Sequence, residues 1–317
     1  MRINTLQMVV WVTGVALLAA VPALAATSQN SGQGQAVVTV LPQHGEMVSP
    51  IAQEDMSLKI DGKDSSITQW EPLNGVAHRI EIVFLIDDGS RASLGTQLSE
   101  IEKFISGLPA NAAVGIAYMQ NGRAVLTGPL STDHAAVLHS LRLPAGTPGV
   151  SASPYFCLSD LAKHWPSSDP GARREAVMIS DGVDSYELRY DPDDPYVQAA
   201  ISDALRSHIV VYSIYWHNIG WLSGTGYETS AGQNLLAQVS DATGGISYWM
   251  GEGNPVSFEP YLADIDKRIN HQYELGYTTE LRGKPGVASL KLKVKHPTAK
   301  VHAPQQTFVE HAPTAEQ

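Results

Sequence analysis

Between residues 79 and 271 the sequence alternates between short apolar runs and segments of helical periodicity, and this alternation constrains the fold most strongly. Residues 80–86 are apolar except for Glu81, and apolar residues then recur at helical spacing over 94–108. The same order returns at 176–179 and 195–207. Buried strands separated by helices are typical of a doubly wound, mostly parallel sheet with helices on both faces. We predict this α/β fold class.

The segments on either side have a strand-like pattern. Residues 37–40 and 57–60 precede the alternating region, 273–277 and 290–294 follow it, and Asp61-Gly62 is typical of a hairpin turn. Neither flank buries a core alone, so we predict that residues 37–78 and 272–309 pair in a small β-rich accessory domain, followed by a tail at 310–317. Lys291, Lys293 and Lys295 indicate either a basic binding face or a solvated edge strand protected by lysines.

The first 25 residues have the composition of an export signal. Arg2 precedes an apolar run over 8–18, and Ala23-Leu24-Ala25 offers small residues where a signal peptidase cleaves. An uncleaved membrane anchor is the alternative, although the run is short for a membrane span. We predict a signal peptide over 1–25, a flexible linker over 26–36 and a periplasmic or secreted protein that does not insert into the membrane after cleavage.

Charge and cysteine content exclude several classes of partner and site. The 317 residues include 21 Lys+Arg and 32 Asp+Glu, and the formal net charge of -11 argues against nucleic acid and anionic membrane surfaces as partners. Cys157 is the single cysteine, which excludes an internal disulfide, and its apolar neighbours predict a core position. The 11 histidines include no His-Glu-x-x-His, so the sequence gives no support for a zinc hydrolase.

Two acidic clusters follow apolar strands of the predicted sheet. Asp87, Asp88 and Ser90 come after one strand, Asp181 comes after a later strand, and Ser153 lies between them at the start of a predicted helix. Ligands bind beyond the carboxyl ends of the strands in such a sheet, and carboxylates with hydroxyls suit Mg²⁺ or another divalent cation. We predict that these five residues form a metal site. The alternative is that the aspartates cap helices.

Six motifs occur in order along the chain. They are Asp87-Asp88 with Ser93-Leu94-Gly95, Val114-Gly115-Ile116-Ala117-Tyr118-Met119, Ser151-Ala152-Ser153-Pro154-Tyr155, Ile179-Ser180-Asp181-Gly182, Pro255-Val256-Ser257-Phe258 and Gln272-Tyr273-Glu274-Leu275-Gly276-Tyr277. Together they resemble the von Willebrand factor type A domain, and more closely the acidobacterial VWFA-related proteins, and the likeness covers roughly residues 37–309. The resemblance implies the A-domain fold and a metal-ion-dependent adhesion site, where acidic groups of a protein ligand complete the metal's coordination.

The first motif of this adhesion site is degenerate here. The family uses Asp-x-Ser-x-Ser, followed later by Thr and by Asp. If Asp87 takes the first position, Gly89 and Arg91 stand where the two serines belong. If the alignment is shifted by one residue, so that Asp88 takes the first position, Ser90 matches one of the two serines and the other is still missing.

The resemblance assigns Ser153 to the Thr position and Asp181 to the last Asp. Two carboxylates that converge without a cation repel each other. Arg91, in a serine position, therefore has two interpretations: its guanidinium pairs with Asp87 and Asp181 in place of a metal, or it points to solvent.

Two further segments have open interpretations. Asp191, Asp193 and Asp194 suit Ca²⁺, but Asp194-Pro195 is also typical of a helix N-cap followed by proline at the first helical position. The Gly-rich loop over 220–226 contains Trp221 and predicts either a protein-contact surface or a packed lid.

These observations favour an exported, non-catalytic binding protein with an adhesion-type A-domain. Its degenerate metal site would lie at the strand ends and face a protein ligand that the sequence does not identify. A secreted hydrolase that uses the same strand-end residues is one alternative. A structural envelope component with a vestigial site is the other.

Overall fold

The computed structural model describes residues 31–43, 50–73, 78–169, 171–187, 190–218, 226–251, 253–281, 283–296 and 298–312. Within these ranges the strands form two sheets, of seven and six strands. The predicted signal peptide, the last residues of the predicted tail and the loop around Trp221 lie outside the described residues.

The larger sheet is antiparallel and is built from both ends of the chain. β1 pairs with β10, from Ser31 opposite Glu280 to Thr39 opposite Gln272, and this pairing closes six of the seven strands into a barrel. Closure gives partners to the backbone N–H and C=O groups that open edge strands would expose. The spatial order is β10 (Gln272–Glu280), β3 (Lys63–Pro72), β2 (Met56–Ile60), β11 (Gly286–Val294), β13 (Gln306–His311), β1 (Ser31–Pro42) and β12 (Ala299–His302).

Local sequence explains much of this barrel. Asp61 and Gly62 have positive φ angles of 47° and 76° and form the tight turn between β2 and β3 that their sequence predicts. Along β11, Ala288 and Leu290 are buried while the lysines at 291 and 293 are exposed, as the period of two requires. The half of β11 that carries these lysines, Leu290–Val294, pairs with β2, whereas Gly286–Ser289 pairs with β13, so the edge-strand interpretation of the lysines stays a prediction.

The smaller sheet is mixed. β4, β5, β7, β8 and β9 pair in parallel, whereas β6 returns antiparallel to β5 through a turn at Asn121 and Gly122, which both have positive φ. Its spatial order is β6 (Arg123–Leu126), β5 (Ala112–Gln120), β4 (Ile80–Asp87), β7 (Arg173–Ser180), β8 (Ile209–Tyr215) and β9 (Ser247–Tyr248).

Helices cover both faces of the mixed sheet. α1 (Leu98–Gly107), α2 (His134–Leu138) and α6 (Glu259–Ile269) share one apolar core with Ile82 and Phe84. α3 (Pro154–Lys163), α4 (Pro195–Arg206) and α5 (Gly226–Thr243) share the other with Val83 and Leu85. All of β4 is buried, because its side chains alternate between the two cores. No helix within the described ranges is both long enough and apolar enough to span a membrane.

The two sheets correct the predicted fold class. A doubly wound, mostly parallel sheet with a small β-rich addition was expected, but the structure has a closed six-stranded antiparallel barrel beside a mixed sheet. The sequence predicts that the two flanks pair, but no local pattern indicates the pairing of β1 with β10 that closes the barrel. The predicted linker overlaps β1 from Ser31 onward. The domain boundaries themselves stay a prediction.

The barrel contacts the helices on one side of the mixed sheet. The guanidinium of Arg206, at the end of α4, lies 4.7 Å from the ring centre of Phe308 in β13. Near the end of α5, the backbone oxygen of Asp241 accepts a hydrogen bond from the N–H of Gln305 at 2.9 Å. The barrel therefore adjoins α4 and α5 through specific polar and aromatic contacts.

Candidate functional site

Asp87 ends β4 and lies among serine hydroxyls. Its side chain is buried, and Oδ1 accepts the N–H of Gly89 at 2.9 Å. Oδ2 lies 3.5 Å from Oγ of Ser151 and 3.4 Å from Oγ of Ser180, the last residue of β7. Both hydroxyl distances are at the long end of the hydrogen-bond range. Because β4 and β7 are parallel neighbours, their carboxyl ends place these groups at one edge of the sheet.

Asp181 follows β7 directly and is the second acid of this edge. Its Oδ1 accepts the N–H of Val183 at 3.0 Å, and the side chain of Asn218, after β8, also hydrogen-bonds it. Burial raises the pKa of both Asp87 and Asp181 above the usual range, and the charge of Asp87 raises that of Asp181 further. The two carboxyls are close enough to repel each other when both are ionised, and a proton or a cation relieves that repulsion.

Asp88 belongs to a different cluster. Its two oxygens accept hydrogen bonds from Arg142 Nη1 at 2.6 Å, Arg142 Nη2 at 3.2 Å, Gln120 Nε2 at 2.5 Å and the N–H of Ala145 at 2.9 Å. The Arg142 guanidinium also lies 3.7 Å from the ring centre of Tyr118. Burial acts to raise the pKa of Asp88, but the hydrogen bonds from Arg142, Ala145 and Gln120 hold it below the usual range. Both oxygens of this predicted metal ligand thus already have donors.

Ser153, which the sequence places in the predicted metal site, is the N-cap of α3. Its Oγ accepts the N–H groups of Tyr155 at 3.3 Å and Phe156 at 3.4 Å, and it donates to Oδ2 of Asp184 at 2.9 Å. Ser151 is the hydroxyl that faces Asp87 instead. Sequence reasoning missed the role of Ser151, although the motif around Ser153 contains both serines.

Ser90 and Arg91 follow the turn that Asp87 begins. The N–H of Ser90 donates to the backbone oxygen of Asp87 at 3.0 Å, and its buried Oγ has no hydrogen-bond partner among the described residues. The N–H of Arg91 donates to Oδ1 of Asn218 at 3.4 Å, and its side chain is exposed while Asp87 is buried.

The donors gathered at this edge are suited to a hard divalent cation. All are oxygen atoms, from two carboxylates and neighbouring hydroxyls, and Mg²⁺ and Mn²⁺ prefer such ligands. The buried, unpaired hydroxyl of Ser90 is consistent with a ligand that completes its hydrogen bonding. Across the described part of the chain, no three His, Cys, Asp or Glu side chains form a metal-ligand cluster. A cation here would therefore depend on Asp87 and Asp181 with hydroxyl support.

The structure also decides two other sequence interpretations. Oδ1 of Asp194 accepts the N–H groups of Tyr196 at 2.7 Å and Val197 at 3.1 Å, which confirms the predicted N-cap of α4. Asp191 closes a local turn by accepting the N–H of Asp193 at 2.9 Å. Cys157 belongs to α3, and its side chain is fully buried in the core between this helix and the mixed sheet, as its apolar neighbours predict.

No family model matches this chain, and no curated protein matches it significantly. Solved structures similar to it include an aerotolerance-related membrane protein from Bacteroides fragilis, 17% identical, covering 60% of this chain and 98% of that one at a TM-score of 0.42. BatB from Bacteroides thetaiotaomicron is 15% identical and covers 60% and 97% of the two chains at 0.43. The SpRpn10 VWA domain is 10% identical and covers 59% and 95% at 0.38.

Proposed function

We propose that this chain is an exported, non-catalytic protein-binding module that binds its ligand at the edge formed by the carboxyl ends of β4, β7 and β8. One observation carries the proposal. Asp87 ends β4 and Asp181 directly follows its parallel neighbour β7, so two carboxyls share one edge of the sheet, with the hydroxyls of Ser151 and Ser180 beside Asp87. Two acids that repel each other at a sheet end cost folding free energy, and such arrangements cluster at functional sites.

Asp87 and Asp181, with the hydroxyls of Ser151 and Ser90, would hold a divalent cation at this edge. When bound, the cation supplies positive charge that neutralises the two carboxylates and attracts an acidic group of a protein ligand. Asn218 positions Asp181 and, through its contact with the N–H of Arg91, joins the segments that follow β4 and β8.

The state of the nucleophiles at this edge favours binding over hydrolysis. The hydroxyl of Ser153 is engaged with the first turn of α3 and with Asp184. Burial raises the pKa of the Cys157 thiol well above its usual range, which keeps it protonated and unreactive. A hydrolase that uses the strand-end residues is therefore the less favoured alternative.

Calorimetric titration of the mature chain with Mn²⁺ tests the metal-dependent edge. We expect the wild type to bind Mn²⁺ and Asp181→Asn to weaken binding by about tenfold or more, since one of two carboxylate ligands is lost. Asp64→Asn is the matched control, because Asp64 lies in the barrel with a side chain that is 86% exposed. No binding by the wild type would instead favour a structural component with a vestigial site.

Capture experiments test the protein ligand and the absence of catalysis. Immobilised wild-type protein should retain a partner from an envelope extract in the presence of Mg²⁺ and lose it when EDTA is added. Asp181→Asn should retain none. Turnover of ester or phosphoester substrates by the wild type, lost in Asp87→Asn, would overturn the non-catalytic assignment.

A further inference from the structure

We propose that the aromatic surface formed by Phe156, Tyr186 and Tyr196 binds lysine or arginine side chains of a protein partner. The inference rests on the proposed function, because it names the chemistry of a partner at the same edge of the mixed sheet. We call these three residues the aromatic triad.

The triad is a compact group of rings at the protein surface. The ring centres of Phe156 and Tyr186 are 5.3 Å apart, those of Phe156 and Tyr196 are 4.9 Å apart, and those of the two tyrosines are 5.5 Å apart. The rings meet at interplanar angles of 60°, 85° and 86°, the tilted and edge-to-face arrangements that aromatic pairs prefer. Tyr186 nevertheless remains 64% exposed and Tyr196 38% exposed, so ring surface is available for a partner.

The hydrogen bonds that build the strand-end edge also fix the triad. Ser153 caps the first turn of α3, which contains Phe156, and donates to Asp184 at 2.9 Å. The other oxygen of Asp184 accepts the N–H of Tyr186 at 2.8 Å, and Asp194 accepts the N–H of Tyr196 at 2.7 Å. Rings held in this way lose little conformational entropy on binding, which favours affinity.

The charge around the triad selects a cationic partner. Residues 79–271 contain 22 Asp+Glu and 12 Lys+Arg, and residues 181–194 contain six acids and one base. Asp184 and Asp194 place carboxylates beside the two tyrosines through the hydrogen bonds described above. A lysine or arginine over an aromatic face gains cation–π attraction, and the acidic surroundings add to it. Without a bound cation, the same surroundings repel an acidic segment.

The position of other apolar side chains indicates a macromolecular partner. Nine large hydrophobic side chains are exposed among the described residues, and six lie in the connections that follow β7, β8 and β9 or in the first helical turn after them. An exposed apolar surface concentrated at one edge is typical of a protein interface. The six are Tyr186, Tyr196, Tyr227, Trp249, Met250 and Val256.

The test measures binding of a fluorescent lysine-only peptide to the mature chain by anisotropy, with a glutamate-only peptide of equal length for comparison. In EDTA, which removes any cation from the strand-end edge, we expect the wild type to bind the lysine peptide and not the glutamate peptide. Tyr186→Ala and Tyr196→Ala should each weaken binding by about fivefold or more, whereas Tyr186→Phe, which keeps the ring, should stay close to wild type. Val287→Ala is the matched control, because Val287 is also exposed, at 41%, but lies in β11 of the barrel, away from the connections that follow β7, β8 and β9.

Two results overturn the inference: no binding of the lysine peptide, or equal weakening by Tyr186→Ala and Val287→Ala. The second would mean that the loss of any exposed apolar side chain weakens binding, so the triad has no specific role. Mn²⁺ titration of the same variants separates this inference from the proposed function. If Tyr186→Ala keeps wild-type affinity for both Mn²⁺ and the lysine peptide, the triad inference fails and the metal-dependent edge stands. If the wild type binds the peptide through the triad but binds no Mn²⁺, the triad inference stands and the metal-dependent edge fails.

Discussion

Nη1 of Arg142 lies 2.6 Å from Oδ1 of Asp88, and this contact gives two aspartates that are adjacent in the sequence opposite environments. Asp88 is neutralised by a guanidinium and by further hydrogen-bond donors, so its pKa is held below the usual range. Asp87 is left among hydroxyls, and burial raises its pKa. The end of β4 therefore contributes one available carboxylate to the candidate site.

Arg142→Met should destabilise the fold, because it leaves the buried Asp88 carboxylate without its cation. We expect the free energy of unfolding to fall by about 1–3 kcal/mol, below the full cost of breaking a buried pair because Arg142 is partly exposed. Urea unfolding at neutral pH measures this. Asp88→Asn in the same background should restore part of the loss, since it removes the uncompensated charge.

The exposed pair Lys103–Glu259 provides the control for that prediction. Lys103→Met should change stability far less than Arg142→Met, since solvent screens a surface pair. Equal effects of the two substitutions would show that the contact between Arg142 and Asp88 contributes no more than an ordinary surface pair.

The metal-free protein should lose stability as the pH rises. A carboxyl whose pKa is raised on folding binds its proton more tightly in the folded state, so its contribution is fully present below the unfolded pKa of about 4 and is lost as the pH rises through the folded pKa. Asp87 and Asp181 are both raised. We expect urea unfolding in EDTA to show a smaller free energy at about pH 8 than at about pH 5.

Asp87→Asn and added Mg²⁺ should each reduce that pH dependence. The amide removes one member of the repelling pair, and the cation neutralises both members. A wild-type slope that neither change alters would assign the pH dependence to groups outside the candidate site.

Ser151→Ala and Ser153→Ala should affect different properties of the protein: the first its affinity for Mn²⁺, the second its stability. Loss of the Ser153 N-cap should lower the free energy of unfolding by about 1 kcal/mol and leave Mn²⁺ affinity nearly unchanged. Loss of Ser151, whose hydroxyl lies 3.5 Å from Asp87, should weaken Mn²⁺ binding with little effect on stability. Thermal unfolding and calorimetric titration measure the two quantities, and the converse pattern would return Ser153 to the metal site.

Glu175→Gln should stabilise the protein more at high pH than at low pH. Glu175 is fully buried in β7, where its polar neighbours are Arg173 and Gln272. Burial raises its pKa to about 7, although Arg173 opposes the rise. Ionisation of Glu175 therefore lowers the free energy of unfolding of the wild type as the pH rises through 7, as for any acid whose pKa is raised on folding.

The measurement is the difference in the free energy of unfolding between Glu175→Gln and the wild type. The free energy of unfolding of the variant, relative to that of the wild type, should rise by about 1–3 kcal/mol between about pH 5 and about pH 8. A constant difference would mean that Glu175 keeps the same protonation state throughout this range.

Local features of the sequence predicted most of the secondary structure. The apolar run before Asp87 forms β4, Asp61-Gly62 turns the β2–β3 hairpin, and Asp194-Pro195 begins α4. Each depends on interactions within a few residues: strand burial, positive φ angles or capping of exposed N–H groups. Local sequence also indicated that acids and hydroxyls follow the strands that end at the candidate site.

Only the tertiary structure decided which of these groups meet. Closure of the barrel joins β1 to β10 from opposite ends of the chain, and the cation beside Asp88 is Arg142, from a distant loop. Ser151 rather than Ser153 faces Asp87, because the turn before α3 directs the two hydroxyls to different partners. Such contacts depend on strand register and on the direction of each side chain. Both are set when distant segments pack together in the folded protein. The sequence by itself determined the residue types at the sheet edge, and packing determined their partners.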